Sequence, residues 1–351
     1  MLDRMKLFLT LLVLALTSAC AAGLGTLQAD LKAVLPPDAR AGVAIGLLTP
    51  EAERVVFVGN PAFGLETLFE YGSVTKVFTA LLLSELAAEE KVALTDHLNG
   101  YLPRAVRDEK WRDVTLVQLA THSAGLPRLP PNVNALYMLR NGDNPYAAFD
   151  EKPLFSALEQ TELEPPGEFN AYSNFGFGLL GTLLSRATGR PYEAMVETRI
   201  FGPLGMTGAT TVGWSSRKVA PPLDRNGNET GYWDFAALAG GGAARGSVAD
   251  ALKFLRASID ACRSAGQLAA ANCRAQRGTG VKAYEDVAQG LGWVRLASSA
   301  GDIVWHDGGT DGFSSFLGFN VRTGDGLVVL ANVASLDEVT SLSLEFLTAP
   351  K

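Results

Sequence analysis

Strand-like, β-branched runs stand at opposite ends of this 351-residue chain, with a long helical and loop-forming middle between them. Near the start, "GVAIGLLT" (42–49) and "RVVFVGN" (54–60) flank "PEAE" and read as a hairpin. Near the end, "GLGWVRL" (290–296), "DIVWHDG" (302–308), "FSSFLGFNV" (313–321) and "LVVLAN" (327–332) read as four more strands. The turn "RTGDG" joins the last two, and a closing helix is expected over Leu336–Leu347. Such strands share a core if the two termini meet in one sheet. The expected fold class is therefore α/β (α+β): an antiparallel sheet from both termini flanked by helices, with an inserted, mostly helical subdomain over roughly 95–285. With 47% hydrophobic residues, one large domain over 26–351 has enough apolar sequence for a sizeable core.

The first residues, "MLDRMKLFLTLLVLALTSACAAG", place Arg4 and Lys6 before an apolar run, Leu7–Leu16, and then small residues. That is the layout of a signal peptide, expected over 1–21. The apolar run is well short of the roughly 20 residues that span a bilayer. Two cleavage readings stay open: an ordinary site within "ACAAG", or a lipoprotein signal ending before Cys20, with a lipid anchor on that cysteine. Both export the chain to the periplasm or cell envelope. The net charge of −7 and the absence of a long Lys/Arg run argue against a nucleic-acid partner. Cys262 and Cys273 either close a short disulfide loop or remain two free thiols. His97, His122 and His306 are scattered and no cysteine has metal-ligand spacing beside them, so no metal site is expected.

The stretch "FEYGSVTKVF" (69–78) opens a helical pattern that runs from Ser73 to about Glu90. Ser73 and Lys76 lie three positions apart, on one helix face, so hydroxyl and amine can meet. Serine is a weak nucleophile until a base takes its proton, and a lysine becomes such a base when burial lowers its pKa. The backbone N–H of Ser73, at the helix start, is free to face an oxyanion. Ser-x-x-Lys alone recurs by chance as a capping serine and a surface lysine. Two further stretches change that. In "PPGEFNAYSNFGFGLLG", Tyr172 and Asn174 sit in a polar bend before an apolar helix, as groups able to share a proton and hold a carbonyl. In "VWHDGGTDGFSSF", a strand ends in His306, Asp307, Gly308 and Gly309, where glycines admit a ligand close to an exposed backbone N–H.

Ser-x-x-Lys, then Tyr-x-Asn, then a histidine-headed triplet ending in glycine, in that order, resembles the penicillin-recognising serine hydrolases. The segments "TLVQLATHSAGLP" (115–127), residues 172–210, "GGGAARGSVAD" (240–250), "GLGW" (290–293) and "GGTDGFSSFLGF" (308–319) resemble the class C β-lactamase and D-alanyl-D-alanine peptidase branch, with its related esterases. The resemblance implies a two-step acyl transfer without cofactor. Ser73 attacks an amide, ester or β-lactam carbonyl, or a peptidoglycan peptide, while Lys76 and Tyr172 move its proton to the leaving group. The N–H groups of Ser73 and Gly309 hold the oxyanion. Asn174 orients Lys76 and substrate, and His306 and Gly308 border the substrate.

The third motif departs from the family pattern. His306 and Asp307 stand where class C β-lactamases have Lys-Thr, so a fixed positive charge for a substrate carboxylate is missing. Asp307 either faces the substrate or points into the sheet. Arg245 either faces the cleft or lies on the surface, and His122 and His97 read as structural. Three functions follow: a hydrolase of β-lactams or D-alanyl peptides, an esterase or D-amino-acid amidase on the same scaffold, or a penicillin-binding sensor that acylates without turnover.

Overall fold

The structure, a computed structural model, describes residues 23–167, 170–213 and 218–350. The leader expected over 1–21, Cys20 included, lies outside them. Eight strands form one antiparallel sheet in the order β2-β1-β10-β9-β8-β7-β6-β5. The N-terminal hairpin is β1 (Gly42–Leu48) with β2 (Glu53–Gly59). β8 (Ile303–Gly309), β9 (Ser314–Asn320) and β10 (Gly326–Ala331) form the C-terminal meander. The termini join where β1 pairs with β10, with Val43 opposite Ala331 and Leu48 opposite Gly326.

β1, β9 and β10 are buried along their whole length, and their near-continuous apolar sequences follow from having both faces covered. On one face a helix over 23–34 (α1) and helix α6 (Leu336–Thr348) cover Val43, Ile45, Phe316 and Val329. On the other, helix α4 (Val248–Asp260) packs so closely that a Cβ on Gly46 would sit 2.9 Å from Leu252. Helix α2 (Thr75–Ala88) is buried from Thr75 to Leu86 and apolar nearly all round, as a central helix is. Helices α3 (Asn174–Thr188) and α5 (Gln267–Gln276) pack against it.

The strand expected over 290–296 is shorter than its sequence suggests. Only Val294–Leu296 (β7) is extended. Residues 290–293 form a turn in which Gly292, at φ +66°, passes so near α2 that a Cβ would lie 2.5 Å from the Lys76 carbonyl oxygen. Two further strands, β5 (Lys282–Tyr284) and β6 (Val287–Gln289), extend the sheet beyond it. Three residues each, with a register shift between them, are too short to display an alternating pattern. β3 (Leu68–Glu70) and β4 (Arg245–Ser247) pair separately. Within the 95–285 stretch, α4 lies against β1, β9 and β10 and so belongs to the layers of the sheet.

Cys262 and Cys273 are joined by a disulfide with their Cα atoms 4.8 Å apart, tying the end of α4 to α5. A loop this short contributes about 2–3 kcal/mol through the unfolded chain. Replacing both cysteines by serine is expected to lower the melting temperature by several degrees, measured calorimetrically, while the far-UV circular dichroism spectrum at 25 °C stays that of wild type.

Candidate active site

Ser73 sits in a single 3₁₀ turn, Gly72–Val74, that leads into α2, so the α-helix starts two residues later than its pattern suggests. Across the junction of this turn with α2, Lys76 Nζ lies 2.9 Å from Ser73 Oγ. The turn requires glycine at position 72, whose φ is +51° and where a Cβ would come within 2.8 Å of Gly309 N. Ser315 of β9 holds the turn by donating to the Tyr71 carbonyl at 2.7 Å.

The Lys76 side chain is fully buried. Its amine also lies 2.8 Å from Asn174 Oδ1 and 2.7 Å from the Gly241 carbonyl. That carbonyl is presented by a segment bolted to α2: Thr79 donates to the Gly240 carbonyl at 2.7 Å, and Thr75 accepts from Ala244 N–H at 2.9 Å. Burial, followed by the charge of Arg128, drives the Lys76 pKa well below its ordinary value. A neutral amine has two N–H donors and one lone pair. In that form the two carbonyl-type oxygens, which can only accept, take both donors, and the lone pair is left for the Ser73 hydroxyl.

Tyr172 stands over this cluster, its ring centroid 4.8 Å from Lys76 Nζ. Burial pushes its phenol above the ordinary range, with the adjacent Ser73 hydroxyl opposing that shift. The bend that carries it is held by Ser173, the N-cap of α3, which accepts from Gly176 N–H at 2.9 Å and donates to the Pro127 carbonyl at 2.6 Å. His122 supports it from behind. Its backbone is at φ +57°, its Nδ1 accepts from Ser173 N–H at 3.0 Å, and its ring lies 4.5 Å from that of Tyr172. His122 is thus a satisfied, buried histidine in direct contact with the site, a link its own sequence neighbourhood does not display. His97 bridges to Thr115.

The fourth side of the cluster is the free edge of β8. β7 pairs only with Ile303–Trp305, so 306–309 present an edge beside Ser73. A Cβ on Gly308 would fall 2.1 Å from the Tyr71 carbonyl oxygen and 2.7 Å from Ser73 N, which excludes any other residue there. His306 points to this side and is buried. Its Nδ1–H donates to the Asp307 carbonyl at 2.5 Å, and burial together with Lys76 pushes its pKa down to about 3. The imidazole is neutral at physiological pH. Asp307 alternates to the opposite face, where it accepts from Thr340 Oγ1 of α6 at 2.8 Å.

Arg245 is neither in the cleft nor on the surface. It is fully buried, and its guanidinium donates to the Trp233 carbonyl at 2.9 Å and meets Asp234 at 3.3 Å. Glu70, whose carboxyl pKa is pushed up to about 7 by burial, accepts from Trp233 N–H at 2.7 Å, so both side chains hold the segment around Trp233. Trp233, Phe235 and Tyr146 pack on one another at 5.2–5.9 Å, and with Leu129 and Leu238 they wall a small cavity of about 30 Å³ beside Ser73. These aromatic residues are far apart in sequence and carry no motif. Arg128 lies at the mouth, exposed, with its guanidinium carbon 5.0 Å over the Tyr172 ring.

A family model described as β-lactamase matches residues 36–343. The chain belongs to the β-lactamase family. It is a serine hydrolase by that membership. A curated β-lactamase of Lysobacter lactamgenus is 26% identical over 340 residues, covering 83% of this chain and 82% of that one. The D-alanyl-D-alanine-carboxypeptidase/endopeptidase AmpH of Escherichia coli strain K12 is 27% identical over 296 residues, covering 80% and 74%. The fold is shared with the solved β-lactamase/D-alanine carboxypeptidase of Pseudomonas syringae, at a TM-score of 0.78 and 20% identity over 94% of this chain and 99% of that one. The α/β fold expected from the sequence, with its sheet built from both termini, is the fold of this family.

Because His306 is buried and neutral, its imidazole NMR resonances are expected to stay constant between pH 5 and 8, against reference spectra of His306→Gln. An inflection near pH 6.5 would show that the ring is in contact with solvent.

Proposed function

We propose that this β-lactamase-family protein is an exported hydrolase that works through a Ser73 acyl-enzyme on β-lactams or D-alanyl peptides. The observation that carries the reading is the three-point seating of the Lys76 amine, 2.9 Å from Ser73 Oγ and held by Asn174 Oδ1 and the Gly241 carbonyl. The Ser73 proton passes to Lys76 Nζ as Oγ bonds to the substrate carbonyl carbon. The resulting oxyanion is held by the N–H groups of Ser73 and Gly309. As the intermediate collapses, the bond to the leaving nitrogen or oxygen breaks. Tyr172 donates its phenolic proton to the leaving atom and recovers one from Lys76. Water then attacks the ester, its proton returning along the same route, and Ser73 is released. With the Tyr172 phenol pushed up and the Lys76 amine pushed down, the base in the resting site is the amine and the phenol is a proton relay. Asn174 orients the amine, while Gly308 and His306 shape the β8 edge along which the substrate lies.

The substrate class follows the names of the relatives, a β-lactamase and a D-alanyl-D-alanine-carboxypeptidase/endopeptidase. A second reading, an esterase or amidase whose substrates lack a carboxylate, is favoured by the neutral state of His306, which leaves the β8 edge without a fixed cation. Export is supported by the leader-like first residues and by the Cys262–Cys273 disulfide, which suits an oxidising compartment.

The test is a panel of a chromogenic β-lactam, a short-chain aryl ester and a D-alanyl-D-alanine peptide, given to wild type and Ser73→Ala. Wild type is expected to turn over at least one of the first and third and to gain the acyl mass on Ser73 by intact-protein mass spectrometry. Ser73→Ala should lose at least about a thousandfold in kcat/KM. Turnover of the ester alone would select the second reading, and equal rates in the two proteins would overturn both.

A further inference from the structure

The cleft has lost a cation at one place and carries one at another. Lys76 is fully buried with its amine bonded to Ser73, Asn174 and Gly241, and His306 is neutral, so neither presents a positive charge to a ligand. Arg128 does. Its side chain is exposed, it stacks over the Tyr172 ring at 5.0 Å, and among the described residues it makes no hydrogen bond or ion pair. The backbone beneath it is fixed, because the Arg128 carbonyl accepts from Asn174 N–H at 2.9 Å and Phe175 N–H at 3.2 Å, at the start of α3. Its neighbour Leu129 lines the cavity beside Ser73 together with Tyr146. Its charge is felt at Lys76, Tyr172 and Tyr146, which places it over the mouth and not out on the surface. The nearby carboxylates do not occupy it: Asp307 is bonded to Thr340 on the opposite face, and Asp311 interacts with Trp233.

A guanidinium resting on an aromatic ring keeps its forked N–H edge available, and that edge matches a carboxylate with two parallel hydrogen bonds. Tyr172, in the proposed reaction, hands its proton to the leaving atom. A carboxylate attached close to that atom therefore comes to the Tyr172 side of the cleft, where Arg128 stands.

We propose that Arg128 is the receptor for a carboxylate on the leaving-group side of the substrate. It takes over the task for which the β8 edge has no charge. The proposal rests on the acyl-enzyme reading above, and it favours substrates ending in a free carboxylate over neutral esters and amides.

The test uses a matched pair of depsipeptides, identical in the acyl part, whose leaving group is a 2-hydroxy acid in one and the corresponding 2-hydroxy amide in the other. An ester bond keeps both members reactive whichever substrate class is correct. Wild type should prefer the carboxylate. Arg128→Gln should reduce the carboxylate-to-amide ratio of kcat/KM by about tenfold, as expected for loss of a charge-assisted hydrogen bond. Arg128→Lys, which keeps the charge and loses the fork, should fall between, and Arg128→Glu should invert the preference. A loss of equal size on both members would overturn the proposal and make Arg128 a prop for Tyr172. An unchanged ratio would overturn it as well. Absence of both turnover and a Ser73 adduct in wild type would sink the parent reading and this one together. Melting temperatures of the variants, expected to match wild type because the side chain is exposed, separate these outcomes from misfolding.

Discussion

Everything around the site is arranged so that one lysine amine can be buried without a counter-charge in contact with it. An isolated ammonium in an apolar helix costs several kcal/mol, and such a group sheds its proton instead. The fold then uses the neutral amine's valence. Asn174, from the start of α3, and the Gly241 carbonyl, from the segment pinned to Thr75 and Thr79, take the two N–H groups. In the neutral form the remaining lone pair is left for Ser73. Three separate parts of the chain thus converge on one amine, and its burial on helix α2 lowers its pKa, which favours the neutral form that the proposed proton transfer needs.

The sheet contributes the other half of the site by leaving an edge bare. β7 stops pairing at Trp305, so the last four residues of β8 meet the Ser73 turn instead of another strand. Contact there is tight enough that Gly72 and Gly308 have no room for a side chain. The alternation of β8 sorts its remaining polar residues: His306 turns inward and loses its charge, and Asp307 turns outward and caps Thr340 of α6. The positive charge that this edge lacks stands across the cleft on Arg128, at the end of the loop that also positions Tyr172.

Much of this was legible in the sequence because it lies in local patterns. The long apolar runs of β1, β8, β9 and β10 announce strands, and their position at both termini announces a single sheet. Ser73 with Lys76, and Tyr172 with Asn174, announce themselves by spacing. What sequence did not display depends on residues that meet only in three dimensions. Residues 290–293 look like a strand because tryptophan and leucine suit one, yet Gly292 must take a positive φ to clear Lys76. The three-residue strands β5 and β6 are below the length at which alternation is visible. Arg245 gives no sign that it is buried, since its partners at Trp233 and Asp234 belong to a loop with no pattern of its own. His122 looks structural and is, but its contact with Tyr172 fifty residues away gives it a bearing on the site that local reading misses.

The protonation state of Lys76 decides among accounts of the whole arrangement. A side-chain NMR titration of Lys76, assigned by comparison with Lys76→Met, measures it directly. The amine is predicted to titrate well below the ordinary lysine value. Titration at or above about 10.4 would mean that the amine is an ammonium donating to Ser73, and the proton acceptor would have to be sought elsewhere.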